Sequence, residues 1–573
     1  MAFMKKNIFY FSVFFFVSSF LLFGGLFSSK IKNSNAYKSG YGDFTSNWAF
    51  GDDDEEDDYD SPEQKLIDVV HYTIKLDLFP EQKRLKGSVT LQFVFTDSLQ
   101  RIFSINFYDN MRIHKVLWNG LATNYSNYKT KLKIDPKNIY DTNYVEIIYE
   151  GKPKNLGLSS FVFGEINGKS LVYNISEPNY ASTWFPCNDL LTDKATYDMY
   201  ITNASSEISV SNGVLIEKSD TNGRTTYHWR TNYQLPTYTV AIYSSSYKTF
   251  TDKYVTASGD SVPIQYYALP EHLENAKIDF DEQPQILKVL SQLFGEYPFA
   301  KEKYGVAEFL WQSGAMENAT ITGIGSNFVT GAKMFSDIYV HEAAHQWWGN
   351  CVSPKTWKDI WLNEGFATYS EALYDEIVFG KDALFSNMSK NFSTEFEGPL
   401  YNPGRNLFSS KVYRKGAWVL HMLRWEVGDE NFFSILHQYF DLYQFKNASS
   451  EDFRKVCEEV AKRDLTEFFN QWVYAGENIP IVNYRWKVKQ DDDSTYYLVL
   501  NLKQAQKGET EYHFPVEVKF LFDTPEDNYS ERIIVDETDF ETTIKLKKKM
   551  NSISLDPQGW LLVEFNDYNT YEK

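Results

Sequence analysis

Alternating apolar and polar residues dominate the chain from residue 63 to residue 252. Runs such as HYTIKLDLFP, GSVTLQFVF and NYVEIIYEG place apolar side chains at every second position, which is typical of β-strands with one buried face. The pattern predicts an N-terminal β domain over residues 63–252. Several of these runs are separated by Asn-Gly pairs, a dipeptide that favours tight turns, at Asn119–Gly120, Asn167–Gly168, Asn212–Gly213 and Asn222–Gly223.

The apolar spacing changes to a helical period over residues 253–480. Stretches such as DIYVHEAAHQWWGN and NEGFATYSEALYDEIVFG repeat apolar side chains at intervals of three and four residues. Alternation returns in YYLVLNLKQ and FPVEVKFLF, so residues 481–573 are predicted to form a small β domain. A chain of 573 residues is too long for one hydrophobic core. We therefore expect a multidomain α+β protein with a mainly helical central domain.

The first 36 residues are predicted to be a targeting segment. An uncharged run from Asn7 to Ser29 follows two lysines and is long enough to cross a bilayer as a helix, and Ser34–Ala36 offers a cleavage site. Residues 37–62 contain the acidic run DDDEEDDYD, which indicates a solvated linker or, as a minor alternative, a calcium-binding tail. We expect an exported protein, either secreted after loss of a signal peptide or anchored in the membrane, with the bulk of the chain outside the cytoplasm.

The composition narrows the range of partners. The formal net charge of −20 repels a phosphate backbone, so we expect no nucleic-acid partner. The chain has three widely spaced cysteines, which are too few for a disulfide framework. We expect Cys187, Cys351 and Cys457 to be buried free thiols.

Two histidines lie four residues apart in the stretch VHEAAHQWWGN, which covers residues 340–350. On a helix, His341 and His345 project from one face and can both bind a Zn²⁺ ion. Glu342 lies about 100° away, a position that suits a base acting on metal-bound water. The alternative is a pair of ordinary core histidines, which is disfavoured because the chain contains only nine histidines.

A zinc site with two histidines needs a third protein ligand. Glu364 lies 19 positions after His345 on the next predicted helix, which could bring its carboxylate back to the metal. Taken alone it would be a surface glutamate, but its spacing from His345 favours a ligand. Glu371, seven residues further on, shares the face of Glu364 and could orient His345 or another ligand.

The stretch WQSGAMENATITG shortly precedes the histidine segment. Gly314 would allow a close approach of the backbone to a ligand, and Glu317 could hold a cation. By itself, however, the segment is more typical of a plain loop or an edge strand.

Three motifs in register, GAMEN, HEAAHQWWGN and WLNEGFATY, resemble the aminopeptidase N family of zinc exopeptidases, the gluzincin aminopeptidases. The resemblance extends from about Asp68 to about Pro557 and includes SEPNYASTWFPCND, VYRKGAW and FFNQWV. It implies an N-terminal β saddle, a thermolysin-like, mainly helical catalytic domain and a small C-terminal β-sandwich. The chain is expected to be a short form that lacks the helical C-terminal domain of longer members.

The resemblance implies a role for each residue that matches a family motif. His341, His345 and Glu364 correspond to the ligands of one zinc ion per chain, and Glu342 corresponds to the general base.

The remaining motifs correspond to contacts with the substrate. Tyr413 matches the tyrosine that stabilises the tetrahedral oxyanion, and Glu177 and Glu317 match the carboxylates that bind the free α-amine of the substrate. The other substrate-binding residues are expected to be Gly314, Ala315 and Met316.

We therefore expect a monomeric, zinc-dependent aminopeptidase that removes N-terminal residues from peptides by attack of zinc-bound water. Its partners would be peptides with a free N-terminus and, if the N-terminal segment is not cleaved, the membrane. The main alternative is a catalytically inactive family member that acts as a peptide-binding or scaffold protein. A zinc endopeptidase is a second rival function, and an epoxide hydrolase is a more remote one.

Overall fold

The computed structural model describes residues 60–97, 102–158, 160–312 and 314–568. The predicted targeting segment and nearly all of the predicted acidic linker lie outside the described residues, so both stay predictions. None of the helices in the described ranges is long and apolar enough to span a membrane.

The N-terminal region consists of β-strands, as its alternating pattern predicted. The strands are β1 (Ile67–Phe79), β2 (Arg84–Phe95), β3 (Phe103–Asn106), β4 (Arg112–Trp118), β5 (Leu121–Ala122), β6 (Tyr125–Tyr128), β7 (Lys131–Ile134), β8 (Asn143–Gly151), β9 (Phe161–Ile166), β10 (Lys169–Asn174), β11 (Ala195–Ala204), β12 (Ile208–Val210), β13 (Val214–Thr221), β14 (Arg224–Leu235) and β15 (Tyr243–Ser245). The largest sheet has the order β13-β14-β11-β1-β2-β8-β4-β5, and two smaller sheets have the orders β12-β15-β10-β9 and β3-β7-β6.

Asn-Gly pairs close three hairpins of this region. Both residues have a positive φ at Asn119–Gly120, Asn167–Gly168 and Asn222–Gly223, which is the conformation of a type I′ turn. These turns connect β4 to β5, β9 to β10 and β13 to β14. At Asn212–Gly213 only the glycine has a positive φ, and the pair connects strands of two different sheets.

The central region combines helices with a mixed sheet. Its helices are α1 (Leu273–Asp279), α2 (Gln283–Phe294), α3 (Ser336–Ala344), α4 (Trp361–Phe379), α5 (Lys381–Lys390), α6 (Gly416–Val427), α7 (Asp429–Tyr443), α8 (Ser450–Ala461) and α9 (Thr466–Phe469). Its strands are β16 (Lys248–Val255), β17 (Ser261–Ala268), β18 (Tyr304–Phe309), β19 (Ala315–Met316), β20 (Thr322–Gly325), β21 (Ser353–Pro354) and β22 (Asn447–Ala448). The sheet order is β16-β17-β18-β20-β19, with β21 paired to β22 elsewhere.

The central sheet begins upstream of the expected boundary between residues 252 and 253. β16 pairs with β17 along its whole length, from Lys248 opposite Ala268 to Val255 opposite Ser261. The boundary therefore falls inside a strand of the central sheet, and the domain ranges stay predictions.

Helix α4 runs through the interior of the central region, and every residue from Trp361 to Tyr374 is buried. Two glycines let it approach the start of α6, because a Cβ atom on Gly365 would lie only 2.8 Å from the Cα atom of Gly416. Any larger residue at either position would push the two helices apart. The three cysteines are buried and free, as predicted.

The C-terminal region returns to β-strands, as predicted. The strands are β23 (Ile481–Gln490), β24 (Tyr496–Gln504), β25 (Phe514–Leu521), β26 (Tyr529–Val535), β27 (Asp539–Leu546), β28 (Ser552–Leu555) and β29 (Glu564–Asp567). They form two sheets with the orders β27-β24-β23-β29 and β26-β25-β28. This region packs on α6, where the ring of Trp560 stacks on His421 at 4.5 Å. The saddle shape of the N-terminal region and the sandwich form of the C-terminal region stay predictions.

Candidate active site

The two motif histidines lie at the end of α3. The helix carries His341 and ends at Ala344, so His345 is the residue that caps it rather than part of a longer helix. His345 keeps a helical backbone conformation, and its amide donates to the carbonyl of His341 at 3.2 Å. The two imidazoles therefore still share one face, with their ring centroids 4.7 Å apart.

Each imidazole is oriented through its Nδ1 atom. His341 Nδ1 lies 2.8 Å from Glu371 Oε1, and His345 Nδ1 lies 2.9 Å from the backbone carbonyl oxygen of Trp348. Both nitrogens act as donors there, which leaves Nε2 of each ring as the atom that can bind a metal. Glu371 thus contacts His341 and not His345.

Glu364 in the first turn of α4 completes a three-atom donor set. Its Oε2 atom lies 3.4 Å from Nε2 of His341 and 3.4 Å from Nε2 of His345. Ligand atoms at about 2.0–2.1 Å from a tetrahedral Zn²⁺ ion are about 3.3 Å apart. Both distances suit neighbouring corners of a zinc tetrahedron, and all three ligand atoms lie within 4.8 Å of one another. A tetrahedral ion held by these atoms would have its fourth corner left for water or substrate.

Glu364 is suited to metal binding by its charge as well as by its position. Burial tends to raise its pKa, but the imidazoles of His345 and His341 outweigh burial and lower the pKa well below its usual range. A carboxylate has to be deprotonated to bind a metal, and positive charge at this point, on the imidazoles or on a metal ion, favours that form of Glu364.

A second cluster of carboxylates shares Glu364. Oxygen atoms of Glu177, Glu317 and Glu364 all lie within 4.8 Å of one another. Glu177 follows β10 in the N-terminal region, and Glu317 follows the edge strand β19. The Oε1 atoms of Glu177 and Glu317 are buried and have no hydrogen-bond partner among the described residues.

Two of these carboxyl groups, Glu177 and Glu317, are less easily ionised than usual. Burial raises the pKa of Glu177 well above its usual value, and repulsion from Glu317 adds to the effect. Burial also raises the pKa of Glu317. Buried carboxylates with unpaired oxygens attract a cationic group, since the cation offsets both their repulsion and their loss of hydration.

The histidine segment also holds the GAMEN loop. Asn350 Nδ2 donates to the carbonyl of Glu317 at 2.6 Å, and Gln346 Oε1 accepts from the amide of Thr320 at 2.9 Å. One continuous segment therefore supplies the two histidines of the donor set and fixes the loop that carries Glu317. Asn350 and Gln346 stand in the histidine motif, but their roles could not be predicted from the sequence because their partners are backbone groups.

The stretch before Glu317 forms the edge of the central sheet. Ala315 and Met316 form β19 and pair with β20, and the carbonyl of Gly314 accepts from the amide of Gly325 at 3.2 Å. An edge strand offers unpaired backbone groups to an extended peptide.

Glu342 is buried, and its Oε2 atom has no hydrogen-bond partner among the described residues. Burial raises the pKa of this carboxyl well above its usual value, although the charge of His345 acts in the opposite direction. The unpaired Oε2 atom of Glu342 can therefore accept a proton near the three-atom donor set.

The aromatic ring of Tyr413 lies beside His341 of the donor set. It lies in a π-helical turn, Lys411–Lys415, that leads into α6. Its ring lies 6.0 Å from the ring of His341, with an angle of 20° between their planes. Burial and the charges of nearby carboxylates, first that of Glu364, raise the pKa of Tyr413 well above 10. The phenol therefore keeps its proton at neutral pH and can act as a donor.

The donor set, the two further glutamates of the carboxylate cluster, Glu371 and Tyr413 thus lie at one buried centre, and residues 314–316 lead along the edge strand to Glu317. Two histidines and a glutamate, with one corner open, are the ligand type of mononuclear zinc hydrolases, and the donor set of this chain is of that type.

Comparison with known families agrees with that class. Residues 278–472 match the description "Peptidase family M1 domain" and residues 69–239 match "Peptidase M1 N-terminal domain". The chain belongs to peptidase family M1, the aminopeptidase N-like family, which confirms the resemblance seen in its motifs.

Individual relatives are similar over part of their length. Endoplasmic reticulum aminopeptidase 1 of Rattus norvegicus is 31% identical over 361 residues, a stretch that covers 58% of this chain and 37% of the relative. The chain therefore spans well under half the length of this relative.

Two solved structures extend the comparison. The aminopeptidase A of Legionella pneumophila, in complex with aspartic acid, has a TM-score of 0.75 at 20% sequence identity. The matched region covers 89% of this chain and 60% of the Legionella chain, which supports the fold. A mutant M1 zinc metallopeptidase of Deinococcus radiodurans, bound to a Tyr-Ser-Ala substrate, has a TM-score of 0.61 at 26% identity, with 72% of this chain and 95% of that chain covered.

Proposed function

We propose that the chain is a zinc-dependent aminopeptidase that removes single residues from the N-terminus of peptides. The observation that carries this proposal is that the metal-type donor set and the carboxylate cluster share Glu364. The α-nitrogen and the carbonyl carbon of an amino acid are about 2.5 Å apart. A site for the free amine that adjoins a site for the carbonyl therefore selects the first peptide bond.

His341, His345 and Glu364 would hold one zinc ion per chain. When bound, the ion supplies a Lewis acid that polarises the scissile carbonyl and lowers the pKa of a water molecule to about 7. Glu371 and the carbonyl of Trp348 would keep the two imidazoles in the required orientation.

The other residues of the site would bind and orient the substrate. The α-amine of a peptide has a pKa of about 7.7–8.0 and is largely cationic at neutral pH, so it fits between Glu177 and Glu317. The backbone of the first residue would lie along Gly314, Ala315 and Met316. The same family's structure with Tyr-Ser-Ala supports a short peptide with a free N-terminus as the class of substrate.

Proton transfer would fall to Glu342 and charge stabilisation to Tyr413. Glu342 would accept a proton from the attacking water and return it to the leaving amine as the C–N bond breaks. The hydroxyl of Tyr413 would donate a hydrogen bond to the carbonyl oxygen as that oxygen becomes an anion.

Rival functions explain fewer of these features. An inactive peptide-binding or scaffold protein would have no use for the unpaired carboxyl of Glu342 beside the donor set. An endopeptidase would need room for upstream residues where Glu177 and Glu317 converge. We also propose that the protein is exported and works as a monomer, secreted or anchored by its N-terminal segment, since relatives include an aminopeptidase of the endoplasmic reticulum.

A panel of aminoacyl reporter substrates tests the activity. The purified chain is expected to hydrolyse at least one substrate with a free α-amine, to lose this activity with a chelator and to regain it with zinc. Activity that is unaffected by complete removal of the metal would contradict the proposal, as would the absence of hydrolysis across the panel.

A further inference from the structure

Lys415 is a buried cation that contacts backbone carbonyls. It is the last residue of the π-helical turn that contains Tyr413, and its side chain is completely buried. Its Nζ atom donates to the carbonyl of Gly398 at 3.2 Å and to that of Gly476 at 3.4 Å. Burial of an ammonium group is unfavourable unless its donors are satisfied, and here both carbonyls come from other parts of the chain.

The two carbonyls belong to loops that are bound to each other. The amide of Gly398 donates to the carbonyl of Glu477 at 2.6 Å, and the amides of Leu400 and Tyr401 both donate to the carbonyl of Val473 at 3.0 Å. Residues 398–401 and 473–477 therefore form one frame, and Lys415 joins the π-helical turn to this frame.

Tyr413 lies on the opposite side of the same turn. Residues two positions apart span about half a turn of a helix, so they project in roughly opposite directions. The ring of Tyr413 lies against His341 on one side, and Lys415 reaches the frame on the other. Arg414 adds a third contact, because its guanidinium donates to the carbonyls of Lys390 and Phe392.

We propose that Lys415 is a positioning residue for the hydroxyl group of Tyr413. By fixing the turn to the frame, it holds the phenol where the carbonyl oxygen of the substrate becomes an anion. The proposal rests on the proposed peptidase function. A donor that is needed only in the transition state affects kcat more than KM, so loosening its support should do the same.

A double-mutant cycle tests this role. Tyr413→Phe is expected to lower kcat by about 10²–10³-fold. Lys415→Met is expected to lower kcat by about 10- to 10²-fold, the effect of a misplaced catalytic group, with little change in KM. In the Tyr413→Phe background, Lys415→Met should lower kcat no further, because the hydroxyl that it positions is already absent.

Lys194→Met provides the matched control. Lys194 is also buried, and its Nζ donates to two backbone carbonyls, those of Cys351 at 3.1 Å and Lys446 at 2.9 Å. Both lysine variants remove two hydrogen bonds from a buried side chain to backbone carbonyls and should lower the melting temperature. Only Lys415→Met should lower kcat, and both should bind zinc as wild type does.

Two results would overturn the role of Lys415. One is a kcat of Lys415→Met equal to that of Lys194→Met, and the other is an equal fall in kcat with and without the Tyr413 hydroxyl. If Lys415→Met does not fold, the cycle is run with Lys415→Gln, whose amide can still donate to one carbonyl. An inactive wild-type chain would reject the peptidase function itself, which the reporter panel detects separately.

Discussion

His345→Ala is expected to abolish both zinc binding and peptidase activity. His345 Nε2 lies 3.4 Å from Glu364 Oε2, as does Nε2 of His341, and its removal would leave one histidine and Glu364 as ligands. Zinc content should fall from about one ion per chain to nearly none, because catalytic zinc sites use three protein ligands.

Thermal unfolding gives a second readout for this variant. A metal that binds only the folded chain raises its melting temperature, so a chelator should lower the melting temperature of the wild type but not that of His345→Ala. His437→Ala, at an exposed position of α7, is the control and should keep zinc and activity. A fully active His345→Ala that retains its metal would disprove the site.

Glu342→Gln is expected to keep the metal and lose turnover. The amide has almost the shape of the carboxyl but cannot accept the proton of the attacking water. Loss of a general base lowers kcat by about 10²–10⁴-fold. The fold should tolerate the change, because Glu342 Oε2 makes no hydrogen bond within the described residues.

Glu371→Gln is the matched comparison for Glu342→Gln. Glu371 accepts from His341, a proposed zinc ligand, and loss of such a contact to a ligand typically costs about 10- to 100-fold in metal affinity or activity. Zinc titration with kcat measured at saturating zinc separates the two variants. Turnover of Glu342→Gln within a few-fold of wild type would remove Glu342 from the mechanism.

The groups that could be predicted from the sequence are those whose spacing is set by local geometry. His341, Glu342 and His345 follow from four-residue spacing at the end of one helix, and Glu364 follows from the next helix. Glu177 is different, since it lies in the N-terminal region, and only the resemblance to a family connected it to the site.

The structural features that escaped prediction depend on contacts without a sequence signal. The carbonyl of Trp348 orients His345, and the side chain of Asn350 donates to the carbonyl of Glu317. Every residue type has a backbone carbonyl, so the sequence does not mark which one is the partner. The close contact between Gly365 and Gly416 also joins segments that are far apart in the chain.

The central sheet could not be predicted from the sequence for another reason. Every residue of β18, from Tyr304 to Phe309, is buried. A strand that is buried on both faces has no alternation of apolar and polar residues. The sequence pattern of the central region therefore indicates its helices and not its strands. The π-helical turn at Tyr413 also escapes prediction, because a single wide turn leaves no periodic pattern in the sequence.

The central claim is that the site recognises the free amine of a peptide beside a catalytic metal. The most direct test is to incubate the zinc-loaded chain with a short peptide and with its N-acetylated form, and to identify the products by mass spectrometry. Acetylation removes the positive charge and adds bulk where Glu177 and Glu317 converge. We expect stepwise release of single residues from the free peptide and no cleavage of the acetylated one. Cleavage of both peptides at internal bonds, at similar rates, would contradict it.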